Sequence, residues 1–388
     1  ITNALDASKR DPSVRNIKVT LENGSMSVFN DGSLGIPIQV HKDHGVYLPE
    51  LIFSHVHSSS NYDDTQNRTW AGTNGVGAKA AIIFSTQSDI QIVHDGQKYN
   101  QEFKKNLTTR CKAKITKVKS ANSVRVTVHP DFARFGLENF ASDQTVEMIY
   151  KRTLEVAALT DSKVSVSWND KKVAVKNFET YVDMFLGKNK TEVPRVLMHD
   201  GKWDVCIAHA VHGKFAQISS VNGCVTHEGG SHVDMVLNPL LKTLTEKLQA
   251  KHKDVTIRSQ YIKDNVMIIM NTEVRNPKFS SQTKEKLISR ASDFVSRFSI
   301  NDPDLKKIEK LGLADNVLAV AVARDTKNLT NGQRKKSRLN NIPKLDDANR
   351  AGGPQGHKCT IILTEGDSAK TMAISGLPNR DWYGVFPL

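Results

Sequence analysis

The stretch Gly72-Thr73-Asn74-Gly75-Val76-Gly77-Ala78-Lys79, running into the apolar Ala80–Phe84, is the sharpest local signal in this 388-residue chain. Three glycines within six residues let the backbone pass close to a ligand, because no Cβ stands in the way. A helix behind them offers free N–H groups and the positive end of its dipole to a phosphate. Lys79 adds a point charge. The stretch is not a P-loop: it departs from GxxxxGK[ST] and lacks the hydroxyl that would hold magnesium. Taken alone it also reads as a turn, so its companions decide its meaning.

Two of them lie upstream. Thr2-Asn3-Ala4-Leu5-Asp6-Ala7 has helical spacing, and Asn3 presents a neutral oxygen suited to Mg2+ whose charge is already met by phosphates. Capping or surface exposure is the ordinary use of a lone Asn. Asn30-Asp31-Gly32-Ser33-Leu34-Gly35-Ile36-Pro37 puts a polar edge beside flexible backbone, where it can accept from an adenine amino group.

The composition is that of a globular chain of two or three domains, with 38% hydrophobic and 24% charged residues. No apolar run approaches the roughly 18 residues of a membrane span. Collagen, coiled coil and wholesale disorder are excluded on the same composition. The excess of 54 basic over 41 acidic residues leaves +13, which favours a polyanionic partner, nucleic acid ahead of anionic membrane. Aromatics at 6% disfavour single-strand recognition by base stacking. Four cysteines without a CxxC pair point to free thiols in a reducing compartment. The chain opens at Ile1 rather than Met and reads as a fragment.

Strand alternation predicts a hairpin, Ile17–Leu21 with Ser25–Phe29, around Glu22-Asn23-Gly24. Further strands are expected at Ala113–Val118, Val124–His129 and Lys163–Trp168, around a helix near Asp143–Thr160. A second region has strands Trp203–His209, Phe215–Val221 and Asn265–Asn271, with a helix near Val233–His252. The last 50 residues hold strand Cys359–Leu363 and a helix opened by Thr364-Glu-Gly-Asp-Ser-Ala369.

The order of these blocks, with Ser58-Ser-Ser-Asn-Tyr-Asp-Asp64 between the second and third, resembles the GHKL ATPases. Within them it is most similar to type IIA DNA topoisomerases of the eukaryotic and large-virus kind. Phe279-Ser-Ser-Gln-Thr-Lys284 resembles that family's Gln-Thr-Lys loop. Ile342-Pro-Lys-Leu-Asp-Asp-Ala-Asn349 and Leu363-Thr-Glu-Gly-Asp-Ser-Ala369 resemble the entry to its TOPRIM domain, and Tyr181-Val-Asp-Met and Gly229-Gly-Ser-His-Val-Asp234 fit the same order. A MutL-type repair protein or a chaperone of the superfamily is not expected to carry the Leu363–Ala369 block.

The resemblance implies an α/β fold: a GHKL ATP-binding domain over residues 1–185, a smaller α/β transducer over 186–340, and the start of a TOPRIM domain over 341–388. It implies ATP and Mg2+ as cofactors, double-stranded DNA and a second copy of the chain as partners, and no membrane. The implied activity is ATP-dependent passage of one duplex through another, in a nuclear or viral setting. Asn3 would ligate the Mg2+ of Mg-ATP, Asn30 would sit at the adenine, and Ser59, Ser60 and Asn61 would line ribose and phosphates. Gly72, Thr73, Asn74, Gly75, Val76, Gly77, Ala78 and Lys79 would wrap the triphosphate. Gln282, Thr283 and Lys284 would close on the γ-phosphate, with Lys284 catalytic. Glu365 would be the first acidic ligand of the metal site that assists DNA cleavage.

Two features depart from the family pattern. The general-base Glu, one helical turn before Asn3, falls before Ile1, and the nucleophilic Tyr and the TOPRIM Asp-x-Asp pair fall beyond Leu388. The Gly32–Gly35 box holds two residues, Ser33 and Leu34, where the family has one. Outside these blocks, Lys247, Lys251 and Lys253 form a basic helix end, either a solvated cap or a phosphate-contacting patch. His227 and His232 read as packing or loop histidines rather than metal ligands.

Overall fold

Gly24, at φ +81°, lets the chain reverse between β1 (Asn16–Glu22) and β2 (Ser25–Asp31), which pair antiparallel with Ile17 opposite Asn30 and Glu22 opposite Ser25. That hairpin is the expected one. It is the middle of a sheet with seven more strands: β3 (Ser85–His94), β4 (Gln97–Lys104), β5 (Thr109–Arg110), β6 (Lys114–Lys117), β7 (Ser123–Pro130), β8 (Ser165–Trp168) and β9 (Lys171–Lys172). The computed structural model describes residues 1–22, 24–55, 68–72, 75–140, 143–210, 213–323 and 342–388. Across the sheet the order is β5-β4-β3-β7-β2-β1-β8-β9, with β6 also on β4.

The helices of this region are α1 (Thr2–Arg10), α2 (Leu48–Ser54), α3 (Gly77–Ile83), α4 (Asp143–Leu159) and α5 (Phe178–Leu186). Phe53 and Ile82 bring α2 and α3 onto Ile90, Ile92, Tyr99 and Phe103 of β3 and β4. A second core joins Leu5 of α1, Ile17 of β1, Val156 of α4, Val166 of β8 and Val182 of α5. It continues without a break into Cys206, Ala208 and Ile269 of the next sheet. Burial of this kind stabilises by roughly 25 cal/mol per Å2 of apolar surface removed from water.

The next sheet has the order β10-β11-β15-β12-β13. Its strands are β10 (Arg195–Asp200), β11 (Trp203–His209), β12 (Ala216–Val221), β13 (Cys224–Val225) and β15 (Val266–Thr272). β12 and β15 run parallel, and helix α6 (Ser231–Lys251) lies between them in the chain. A short parallel pair, β14 (Gly229–Gly230) with β16 (Lys286–Leu287), completes the region.

The chain divides into two compact units, residues 1–244 with 262–313, and 245–261 with 314–388. In the second, strands Thr360–Thr364 and Tyr383–Pro387 pair in parallel around the helix Asp367–Gly376. Asp346 bridges to Val385 through the backbone and holds Lys370 at 2.8 Å and Arg380 at 3.2 Å. Hydrogen bonding from Lys370, against the opposing effect of burial, keeps that carboxyl below its usual range.

Candidate functional site

Helix α1 turns one face to the core through Ala4 and Leu5 and leaves Asn3 exposed. Leu5 packs on the turn between β12 and β13, where Gly223 has φ +84° and a Cβ would fall 2.2 Å from Leu5 Cδ2. Arg152 of α4 fastens this seat: its guanidinium donates to the Gly223 carbonyl at 2.7 Å, the Thr2 hydroxyl at 3.0 Å and Glu155 at 3.1 Å. One turn along α1 from Asn3, Asp6 is buried and accepts from the N–H groups of Ala71 at 3.3 Å and Gly72 at 3.0 Å. The helix is thereby tied to the first residue of the glycine loop. A Cβ at Gly72 would sit 3.0 Å from Asp6 Oδ2, so a side chain there would press on that carboxyl.

Burial raises the Asp6 pKa, while the Ala71 N–H and the Lys284 ammonium oppose the rise. A raised carboxyl pKa means the folded chain holds its proton more tightly than the unfolded chain. The contribution of Asp6 to stability is therefore fully present below the unfolded value of 3.8 and is lost as pH rises from there through the folded value. Over that window the thermal midpoint of the native chain should fall relative to that of Asp6→Asn. Parallel melting curves from pH 4 upward check this, and identical slopes would exclude it.

Within the loop, Gly75 takes φ +58° and α3 begins at Gly77. No described residue lies within 4 Å of where a Gly77 Cβ would be, so among the described residues there is open space beside the first turn. The side chain of Lys79 is buried and donates back to the Gly75 carbonyl, tightening the loop, and burial lowers its pKa. Open space beside glycine backbone and a fresh helix turn fits an anionic ligand. Thr73 and Asn74 lie outside the described residues, as do Ser59, Ser60 and Asn61.

Asn30 sits near the end of β2, its side-chain amide donating to the Asp31 carbonyl at 3.1 Å. Asp31 is a brace, accepting from the backbone of Arg15 at 2.7 Å and Asn16 at 2.9 Å. The Ser33-Leu34 pair is held from the side by Asp11, which takes the Leu34 N–H at 2.8 Å, and by Asn122, which donates to the Ser33 carbonyl at 3.0 Å. Gly32 has φ +143° and no room for a Cβ beside Asp11 Oδ2, 2.6 Å away. The extra residue is accommodated by turning Leu34 outward, 61% exposed.

The segment Phe279–Leu287 forms a hairpin-like loop: Phe279 bridges Leu287, and the Ser280 N–H donates to the Lys286 carbonyl at 3.0 Å. At its tip Thr283 bonds the Ser281 hydroxyl at 2.7 Å, Gln282 is exposed, and Lys284 takes φ +62°. The Lys284 Nζ reaches the Ala71 carbonyl at 2.9 Å. One peptide unit, Ala71–Gly72, is thus gripped from both ends, its N–H by Asp6 and its C=O by Lys284. Sequence reading missed Asp6; its place three residues after Asn3, on the same helical face, was the available signal.

Glu365 lies in the second unit, exposed, after strand Thr360–Thr364. Among the described residues no group of three His, Cys, Asp or Glu is placed to hold a metal ion. Lys247, Lys251 and Lys253 fall at and beyond the end of α6, Lys251 and Lys253 exposed. His232 is packed, as read from sequence. It is fully buried, bonded to the Thr226 hydroxyl at 3.0 Å, and burial lowers its pKa to about 3.

Fold and loop arrangement together are similar to the gyrase B class, and the family model for DNA gyrase B matches residues 159–337. DNA topoisomerase 2 of Pisum sativum is 39% identical over the whole chain, and that of Saccharomyces cerevisiae 38%. The chain spans 27% and 28% of their lengths. The crystal structure of the ATPase region of yeast topoisomerase II superposes with a TM-score of 0.77 at 34% identity, covering 82% of this chain and 84% of that one. The ATPase and transducer domains of the Balamuthia mandrillaris enzyme give 0.79 at 29% identity, covering 84% of each chain. The chain belongs to the type II DNA topoisomerase family.

Proposed function

We propose that this chain is the ATP-operated gate of an ATP-hydrolysing type II DNA topoisomerase, which binds Mg-ATP, pairs with a second copy and captures a duplex for transport. The observation that carries the reading is the Ala71–Gly72 peptide held between Asp6 of the Asn3 helix and Lys284 of the distant hairpin. Residues at the loop and residues more than 200 positions away respond together to what the loop holds. Binding contacts that exist only in one arrangement favour that arrangement, so ligand binding can be read out as closure.

In this reading Asn3 holds Mg2+, Asn30 meets the base, and Ser59, Ser60 and Asn61 line the sugar and phosphates. The Gly72–Lys79 backbone surrounds the phosphates, with Lys79 shaping the loop through Gly75, and Gln282, Thr283 and Lys284 meet the terminal phosphate. Bound Mg2+ would supply charge neutralisation on the phosphates. Residues 1–185 form the ATP-binding domain, 186–340 the transducer and 341–388 the opening of a TOPRIM domain, in which Glu365 is one acidic ligand. Lys247, Lys251 and Lys253 contact the captured duplex. The eukaryotic relatives support a nuclear setting.

Calorimetric titration with a non-hydrolysable ATP analogue, with and without Mg2+, tests this. Binding should depend on Mg2+, and Asn3→Ala should weaken it at least tenfold in Mg2+ while leaving the Mg2+-free signal unchanged. Light scattering on the same samples should show the mass doubling. Absence of binding at millimolar analogue would sink the gate reading.

A further inference from the structure

Between Gln97 and Ser120 the sequence places eight Lys and Arg against the single acid Glu102, so a net +7 of the chain's +13 sits in this short segment. The segment folds as β4 with β6 and β5 on its outer side, at one edge of the nine-stranded sheet. All four residues of β6 are exposed, as are Lys112 and Lys119 beside it. Glu102 is occupied by Lys104 at 2.8 Å. Lys112, Lys114, Lys117 and Lys119 make no ion pair among the described residues. A stripe of unpaired cations on an extended edge creates a field that a polyanion would neutralise.

The strand register extends this charge across one face. Lys18, Phe29, Arg125, Gln91, Asn100 and Lys114 stand directly opposite one another on successive strands. At about 4.8 Å per strand the row is roughly 24 Å long. It contains three cations and no acid, and its amides are bonded to each other, Gln91 to Asn100 at 3.1 Å. Gln91, Asn100, Lys114 and Arg125 also line a cavity of about 540 Å3 on this face. The acids nearby are already engaged, Asp89 by His129 at 3.6 Å and Glu102 by Lys104. Phe29, the one aromatic in the row, is covered by Arg125, whose guanidinium lies 5.0 Å from the ring centre.

We propose that this sheet face and its β6 edge form a docking surface for the phosphate backbone of duplex nucleic acid, separate from the glycine loop and from the α6 lysines. Duplex DNA carries about one phosphate per 3.4 Å of helix axis on each strand, so the row spans roughly seven base pairs. Lys112 and Lys114, like Lys117 and Lys119, are two residues apart in sequence, roughly 6–7 Å along an extended chain, the scale of neighbouring phosphates along one DNA backbone. With its aromatic ring covered, the surface binds without base preference. The proposed gate enters only in the choice of duplex DNA as the polyanion.

The test is fluorescence anisotropy of a labelled 24-base-pair duplex with the full chain, across a salt series. The probe variant is Lys112→Gln/Lys114→Gln/Lys117→Gln/Lys119→Gln, with Arg125→Gln as a face-only companion. The quadruple variant should bind at least tenfold more weakly at 100 mM salt. Its log–log salt slope should be smaller by about 3–4, the loss of four phosphate contacts. Arg125→Gln should reduce the slope by about one. Analogue binding should stay unchanged in both, so a failed ATP gate and a failed docking surface give different readouts.

Unchanged affinity and slope would overturn the proposal. So would tighter binding of poly-glutamate than of duplex, which would make the partner an acidic polypeptide. Self-association of the quadruple variant with duplex binding intact would also overturn it, because the lysines would then only guard the sheet edge from pairing.

Discussion

Lys284→Ala should leave the first binding of an ATP analogue within about threefold of the native chain while lowering analogue-induced dimerisation ten- to a hundredfold. The Lys284 Nζ donates to the Ala71 carbonyl at 2.9 Å, and the same peptide unit gives its N–H to Asp6. A hydrogen bond from a charged group contributes about 1.5–3 kcal/mol, which corresponds to that range of equilibrium constants. The loop stays anchored to α1 through Asp6, so binding at the glycines survives. The link to the hairpin is cut, so closure suffers. Alanine leaves the backbone cost of φ +62° unchanged, because any residue with a Cβ meets it. Lys284→Met, which keeps the stem and loses the charge, should behave as Lys284→Ala does. Equal losses of binding and dimerisation would exclude the coupling role, and a Met variant resembling the native chain would move the effect from charge to packing.

Gly230→Ala should have the largest effect on stability. Gly230 lies at φ +130°, and a Cβ there would fall 2.2 Å from the Leu287 carbonyl oxygen and 2.6 Å from its nitrogen. Both obstacles are backbone, so neither can swing aside as a side chain does. To admit the methyl group, β14 and β16 must separate, and the hairpin carrying Lys284 hangs from β16. The expected loss is about 3 kcal/mol or more in urea unfolding, within the range of backbone strain combined with steric overlap. Gly136→Ala is the control. It is left-handed, at φ +68° and ψ +28°, but no described residue lies within 4 Å of its Cβ position. It should cost only about 1–2 kcal/mol, the price of left-handed backbone alone. Equal shifts in the two variants would show that the Leu287 contact relaxes freely.

Most strands were readable from alternation. The β1–β2 hairpin, β7, β8, β11, β12, β15 and the long helices α4 and α6 lie where their apolar periods put them, within a residue or two. β3 and β4 escaped because polar residues occupy inward positions: Ser88 and Gln101 are buried among Ile90, Ile92, Tyr99 and Phe103. Gln101 is acceptable there because its amide donates to Glu50 at 2.9 Å and to the Cys111 carbonyl at 3.0 Å, partners distant in sequence. The turn between these strands went unread with them, although Asp95 and Gly96 both take positive φ, +48° and +73°, the signature of a tight hairpin.

The same division holds at the site. Gly72–Lys79 announced itself because a close backbone approach requires residues without Cβ, a local property that composition displays. Asn3 and the Gln282-Thr283-Lys284 block were visible as residue types in a recognisable order. No local pattern joined Asp6 to Gly72 across 66 positions or Lys284 to Ala71 across 213, because a buried carboxylate and a single ammonium carry no periodicity. The bond of Lys79 to the Gly75 carbonyl was equally invisible, since a residue type supplies a charge but not its partner. What residue type and spacing dictate is steric and periodic, and is set within a few neighbours: turns, strand alternation, helix faces, the glycine loop. Which charge meets which peptide depends on where packing of the two sheets brings distant segments, since hydrogen bonds act over about 3 Å and loop closure sets no particular partner.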